Sequence, residues 1–354
     1  MRLEREDFDW AVQQNLITAS QAENLWTAFI SRYPQEDEVN RPRFNFANVA
    51  YYFGALIVIS ALGWFMNKAW ESFGGAGLFF IALFYAICFI FAGKNLYFQQ
   101  NLKIPGGLLF TMAVAMTPLA IYGLQRWTGY WQAGNMAIYP DFYTWTKGSW
   151  FLMELGTIIA GLITLRFVKF PFLTAPIAFS LWYMSMDLTP LLFGEDEYTW
   201  RLRLWVSFWL GIACLITAYL IDVRQRRSRG DFAFWLYLFG LIMFWFSLSL
   251  LIDDNEAQRF LYCLINLGLM LLSILLKRRL FVVFGGIGVF AYLSYLSYRI
   301  FADSIFFPFA LTVLGLGIIY MGVLYQRHYP TLALARFIES YIPLEWRNLL
   351  PKDR

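Results

Sequence analysis

Glu154 and Asp187 are the side chains of this chain best placed to do chemistry, because each stands inside a long apolar run. An ionisable group in such a run costs about 2.5–3.5 kcal/mol or more unless it is paired or hydrated, so its presence marks a candidate site. Glu154 lies about one turn into its run and Asp187 about two turns from the end of the next. Thr189-Pro190 follows Asp187, and Pro190 has no N–H to offer the carbonyl of Met186. A carboxylate, a freed carbonyl and a hydroxyl together suit a proton or a small cation. Asn266 and Arg299 fall toward the same side of the membrane, so the candidate intramembrane polar site is Glu154, Asp187, Thr189, Asn266 and Arg299. The structural alternative is that the two acids merely pair with Arg201, Arg203 or Arg299.

Other chemistries lack their parts. The sole histidine is His328, which leaves no histidine cluster for a metal and no material for most histidine-based triads. Cys88, Cys214 and Cys263 are far apart and inside apolar runs, as small buried hydrophobes are. No glycine-rich phosphate loop follows a strand pattern. Catalytic residues, cofactor-binding residues and metal ligands are therefore all expected to be absent, which points away from an enzyme. No basic patch stands outside the loops that a membrane topology already explains, so nucleic acid is not an expected partner.

The elements that hold the two acids are membrane spans. Of the 354 residues, 59% are hydrophobic and 15% charged, against roughly half and a quarter in soluble domains. Ten runs have the ~20 residues that cross a bilayer core. They cover Ala47–Met66, Gly74–Gly93, Ile104–Leu124, Trp150–Leu165, Phe170–Phe193, Leu204–Ile221, Phe232–Ile252, Phe260–Leu276, Leu280–Ile300 and Ile305–Tyr325. The loop Arg224-Gln225-Arg226-Arg227-Ser228-Arg229-Gly230 fixes their direction, since basic loops stay cytoplasmic. Both termini then face the cytoplasm, and three quarters of the 28 Lys and Arg fall on that side. The fold class is all-α: a polytopic integral membrane protein of about ten transmembrane helices, divided into a cytoplasmic helical hairpin (1–46), a membrane domain (47–325) and a cytoplasmic membrane-surface tail (326–354).

The hairpin has its own signals. Arg2 to Trp10 is polar and acidic, unlike a secretory leader. Thr18-Ala19-Ser20-Gln21 predicts a capping box, and Ala22, Leu25, Trp26, Phe29, Ile30 and Tyr33 repeat at three and four. That stripe needs cover, from the membrane domain, from the hairpin itself or from a protein partner. Phe8-Asp9-Trp10, Asn15-Leu16-Ile17-Thr18 and Gln21, followed by Gly54-Ala55-Leu56, Leu62-Gly63, Asn67 and Trp70, resemble the start of bacterial membrane proteins of domain-of-unknown-function family 2157. The resemblance covers about the first seventy residues. It implies a bacterial inner (plasma) membrane location and no particular activity.

Smaller features refine the picture. Thr117-Pro118-Leu119 up to Gly123 and Thr189-Pro190-Leu191 up to Gly194 predict kinks at matching heights in two parallel spans. The outer loop Gln125–Ser149 is crowded with aromatics suited to the headgroup layer, and Lys94–Gln99 reads as a connection between spans. Gly156 with Ala160, and Ala50 with Gly54, allow close helix approach. Membrane lipids are the expected partners. The leading functional expectation is a transporter or permease-like protein with a polar site in the outer half of the membrane. Its rival is a non-catalytic membrane scaffold or assembly protein that docks a partner through the hairpin.

Overall fold

A computed structural model of the protein describes residues 8, 11, 12, 14, 16–32, 46–130, 149–193, 200–224, 230–252, 255–301, 309, 312, 313, 315, 316 and 320. The Gln225–Arg229 segment, most of the aromatic outer loop, nearly all of the run Ile305–Tyr325 and the tail lie outside them. Among the described residues the structure is all-helical, with no strands.

Helix α1 (Ala19–Arg32) starts where the sequence places it. The Thr18 N–H donates to Gln21 Oε1 at 2.9 Å, and the Gln21 N–H donates to Thr18 Oγ1 at 3.3 Å, the reciprocal pair of a capping box. Trp26 meets the buried Phe8 edge-on at 5.8 Å, so one part of the stripe is covered from within the hairpin.

The membrane domain follows as α2 (Phe46–Ser72), α3 (Gly74–Lys94), α4 (Lys103–Ala115), α5 (Thr117–Trp127), α6 (Ser149–Phe167), α7 (Thr174–Phe193), α8 (Trp200–Arg224), α9 (Phe234–Leu251), α10 (Glu256–Leu276) and α11 (Arg279–Phe301). Among the described residues, seven stretches are long and apolar enough to cross a membrane: Gly74–Gln99, Lys103–Trp127, Trp150–Phe167 and those of α8 to α11. Helices α2 and α7 add 27 and 20 residues of continuous helix.

One connection differs from the sequence reading. Asn95–Gln99 is not an open link but a π-helical extension of α3, and the turn proper closes through Leu102 N–H to the Leu96 carbonyl. Lys103 caps it by donating to the Tyr97 carbonyl while lying over the Tyr97 ring. The two spans that carry Thr-Pro-Leu differ from each other. The span with Pro118 breaks at Met116 into α4 and α5, with Pro118 in the first turn of the new helix where its missing N–H does no harm. Helix α7, by contrast, continues past Pro190 to Phe193.

Neighbours in sequence pack as neighbours in space. Helix α3 lies along both α4 and α5, α6 links α5 to α7, α7 touches α8 and α9, and α10 with α11 pack as a hairpin whose second helix meets α9. One core, around Tyr237, Leu241, Met243, Leu269 and Phe281, joins α8 to α11. A second, around Ile104, Leu108, Phe110, Phe170 and Leu173, joins α2 to α4 and the short 3₁₀ turn Pro171–Leu173. Phe172 in that turn bridges the two, with ring contacts to Tyr52 at 5.8 Å and Trp235 at 5.2 Å. Gly156 is pressed against α5, where a Cβ would stand 2.2 Å from Ile121 Cδ1, whereas Gly54 has open space around it among the described residues.

Candidate functional site

Four helix ends converge at one end of the bundle: the C-terminal ends of α5 and α7 and the N-terminal ends of α6 and α8. They bury Tyr122 and Gln125 (α5), Glu154 and Thr157 (α6), Ser185, Asp187 and Thr189 (α7), and Arg203 and Ser207 (α8). The backbone register explains the meeting. Ser207 Oγ donates to Ser185 Oγ at 3.1 Å, which locks antiparallel α7 and α8 side by side. Counting outward from that pair in opposite directions brings Arg203 level with the turn that holds Asp187 and Thr189. Apolar packing of Leu78, Tyr122 and Met153 seals the α6 side of the cluster.

Glu154 and Asp187 interact directly through their side chains, and the Asp187 charge acts on Glu154. Glu154 is 6% exposed and Asp187 7%. Arg203, at 8%, is the cation that acts on Asp187. Neither oxygen of Glu154 has a conventional hydrogen-bond donor, and Asp187 Oδ2 and Thr189 Oγ1 also lack one. A cavity of about 330 Å³ opens beside Glu154, framed by Ala115 and Pro118 at the α4–α5 break, by Trp150, Met153 and Thr157 of α6, and by Pro176, Phe179, Ser180 and Tyr183 of α7. The helix break therefore helps to make the space that the carboxylate faces.

The five residues of the expected site separate. Glu154 and Asp187 come together. Thr189 is buried near them, but α7 is helical throughout, so positions 187 and 189 point about 200° apart around its axis and do not form one pocket. Asn266 belongs to a different contact. Its Oδ1 accepts from Trp245 Nε1 at 2.9 Å, its Nδ2 donates to the Tyr262 carbonyl at 2.9 Å, and it is fully buried against Gly288. Both ends of that amide are satisfied, as a structural clamp requires. Arg299 is exposed and forms an ion pair with Glu256, with the Tyr295 hydroxyl bonded to both. Neither residue joins Glu154. Among the described residues, no group of three or more His, Cys, Asp or Glu side chains is placed to hold a metal ion.

One polar cluster escaped the sequence reading. Arg278, in the turn between α10 and α11, reaches Asp222 at the end of α8 with Nε at 3.1 Å and Nη2 at 2.7 Å, a two-pronged contact. Its Nη1 is bonded to Asp231, just ahead of α9, and its guanidinium lies 5.2 Å from the Tyr237 ring centre. Burial by itself would lower the pKa of Arg278, but its hydrogen bonds to Asp231 and Asp222 outweigh that and hold it above its ordinary value. The cluster ties the α8–α9 hairpin to the α10–α11 hairpin. Two acids bracket the arginine loop in sequence, but nothing in that placement names Arg278 as their partner. No family model, curated protein or solved structure matches the chain.

Proposed function

We propose that this is a transporter or permease-like protein whose site is the cavity beside Glu154. The observation that carries the reading is a nearly fully buried carboxylate with no hydrogen-bond donor on either oxygen, facing a space large enough for a small molecule. A purely structural acid is expected to have found its donors during folding. Two carboxylates side by side in a poorly solvated place repel each other, and a proton or cation entering between them relieves that repulsion, which couples occupancy to charge. On this reading ten spans cross a bacterial inner membrane with both termini cytoplasmic, so the site opens in the outer half. The positive-inside distribution of Lys and Arg and the N-terminal resemblance to domain-of-unknown-function family 2157 support that arrangement. The test is flux in proteoliposomes with a pH-sensitive dye inside. Wild-type protein should move protons or cations, and Glu154→Gln should abolish most of that movement while the protein keeps its thermal unfolding temperature.

A second reading, the membrane scaffold, is favoured by one observation: Leu16 and Leu25 of the hairpin remain 66% and 42% exposed after Phe8 and Trp26 have met. An uncovered apolar edge of that kind suits a protein partner. It predicts no flux from either form and a binding defect on Leu25→Asp.

A further inference from the structure

We propose that the cavity beside Glu154 takes a hydrophobic organic cation, with Glu154 as counter-charge and Trp150, Phe179 and Tyr183 as its wall. The inference rests on reading the cavity as a substrate site, and it names the class of molecule that site selects. Size comes first. At about 330 Å³ the space matches the lower range of small-molecule sites and is far larger than a bare ion needs. Charge comes next. The acid in the cavity is Glu154, the charged group acting on it is Asp187, and Arg203 acts on Asp187. An anion entering there would meet the Glu154 carboxylate, with Asp187 behind it. A neutral molecule without donors would leave the Glu154 oxygens as unpartnered as they are now.

The walls decide the rest. Three aromatic residues line a space with few polar groups, and the Thr157 hydroxyl is already committed to the Met153 carbonyl at 2.7 Å. Ring faces attract cations, most strongly where water is excluded. A strongly hydrated cation such as Na⁺ would have to surrender its water to such walls, while a cation clothed in carbon would not. The mouth fits the same class. Phe179 and Tyr183 are 46% and 37% exposed, and Tyr183 lies midway along α7, so the cavity opens on the flank of the bundle where lipid would stand. A hydrophobic cation concentrates there.

The test is calorimetry on the full chain in lipid nanodiscs with benzyltrimethylammonium, benzenesulfonate and benzyl alcohol as probes. The cation should bind saturably at one site, weaken by at least about tenfold in Glu154→Gln and stay within about threefold of wild type in Glu154→Asp. The anion and the alcohol should show no binding that depends on Glu154. Equal affinity of the cation for wild type and Glu154→Gln, or benzyl alcohol binding as tightly as the cation, would overturn the inference. If the Glu154 variants fail to fold, Tyr183→Leu on the exposed mouth takes their place: a several-fold loss of cation affinity supports the site and an unchanged affinity overturns it. Proteoliposomes separate this inference from the one beneath it. Cation binding without cation movement removes the transporter reading and leaves the ligand class standing. Glu154-dependent proton flux with no cation binding does the reverse.

Discussion

Glu154 and Asp187 face one another from adjacent helices, but only Asp187 also has Arg203 acting on it. The two acids therefore carry different duties. Asp187 is the member on which the Arg203 charge acts, and Glu154 is the member that reaches the cavity.

Stability should separate them. Asp187→Asn removes the acid on which the buried Arg203 charge acts, so it should lower the unfolding temperature. Glu154→Gln removes a charge that has no donor, and should leave that temperature unchanged or raise it. Equal destabilisation by the two substitutions, read by thermal unfolding in detergent, would contradict the division of roles.

The Arg278 cluster should behave as a latch between two hairpins. Arg278 and Asp222 have side chains 11% and 5% exposed, so Arg278→Gln should cost about 3–5 kcal/mol. Asp231, at 35%, is better hydrated, and Asp231→Asn should cost less, about 1 kcal/mol. Combining Arg278→Met with Asp222→Leu should recover part of the loss, because only the better-hydrated Asp231 then loses its bond to Arg278. Thermal unfolding of the three variants checks the ranking.

Asn266 and Gly288 make a tighter test of packing. A Cβ on Gly288 would stand 2.0 Å from Asn266 Oδ1, while Gly268 has open space around it among the described residues. Gly288→Ala should therefore destabilise by about 1–3 kcal/mol and Gly268→Ala by no more than about 0.5 kcal/mol. If the two alanines unfold at the same temperature, α10 and α11 do not approach as described.

Orientation is open to labelling. In a protein freed of Cys88, Cys214 and Cys263, Tyr130→Cys should react with an impermeant thiol reagent in intact cells, and Lys277→Cys only after the cells are opened. Both positions are exposed, so access to the side of the membrane decides the outcome. The opposite pattern would invert the topology and place Glu154 in the inner half.

The sequence made local features legible and left distant pairings hidden. The capping box at Thr18 and Gln21 is set by residues three apart, and it formed as read. Glu154 and Asp187 stood out because charge in an apolar run is conspicuous, and the short link between their helices made them neighbours. Asn266 and Arg299 were grouped with them by depth alone. Depth says nothing about which helices touch, and these two instead serve the contact among α9, α10 and α11. Asp222, Asp231 and Arg278 were not singled out as a group, since 56 residues separate Asp222 from Arg278 and no pattern in between announces the pairing. The cavity depended on the α4–α5 break at Met116, whose proline was visible, and on the aromatic side chains of α7, whose orientation was not.

The most direct measurement of the central claim is chemical access to Glu154. Dicyclohexylcarbodiimide is a hydrophobic reagent that attaches to carboxyl groups within membranes, and peptide mass spectrometry locates the adduct. Membranes treated at neutral pH should carry the adduct on Glu154, with little on the arginine-bonded Asp222, and benzyltrimethylammonium should protect Glu154 in proportion to its occupancy. An unmodified Glu154, or one modified no faster than Asp222 and indifferent to the cation, would contradict the account.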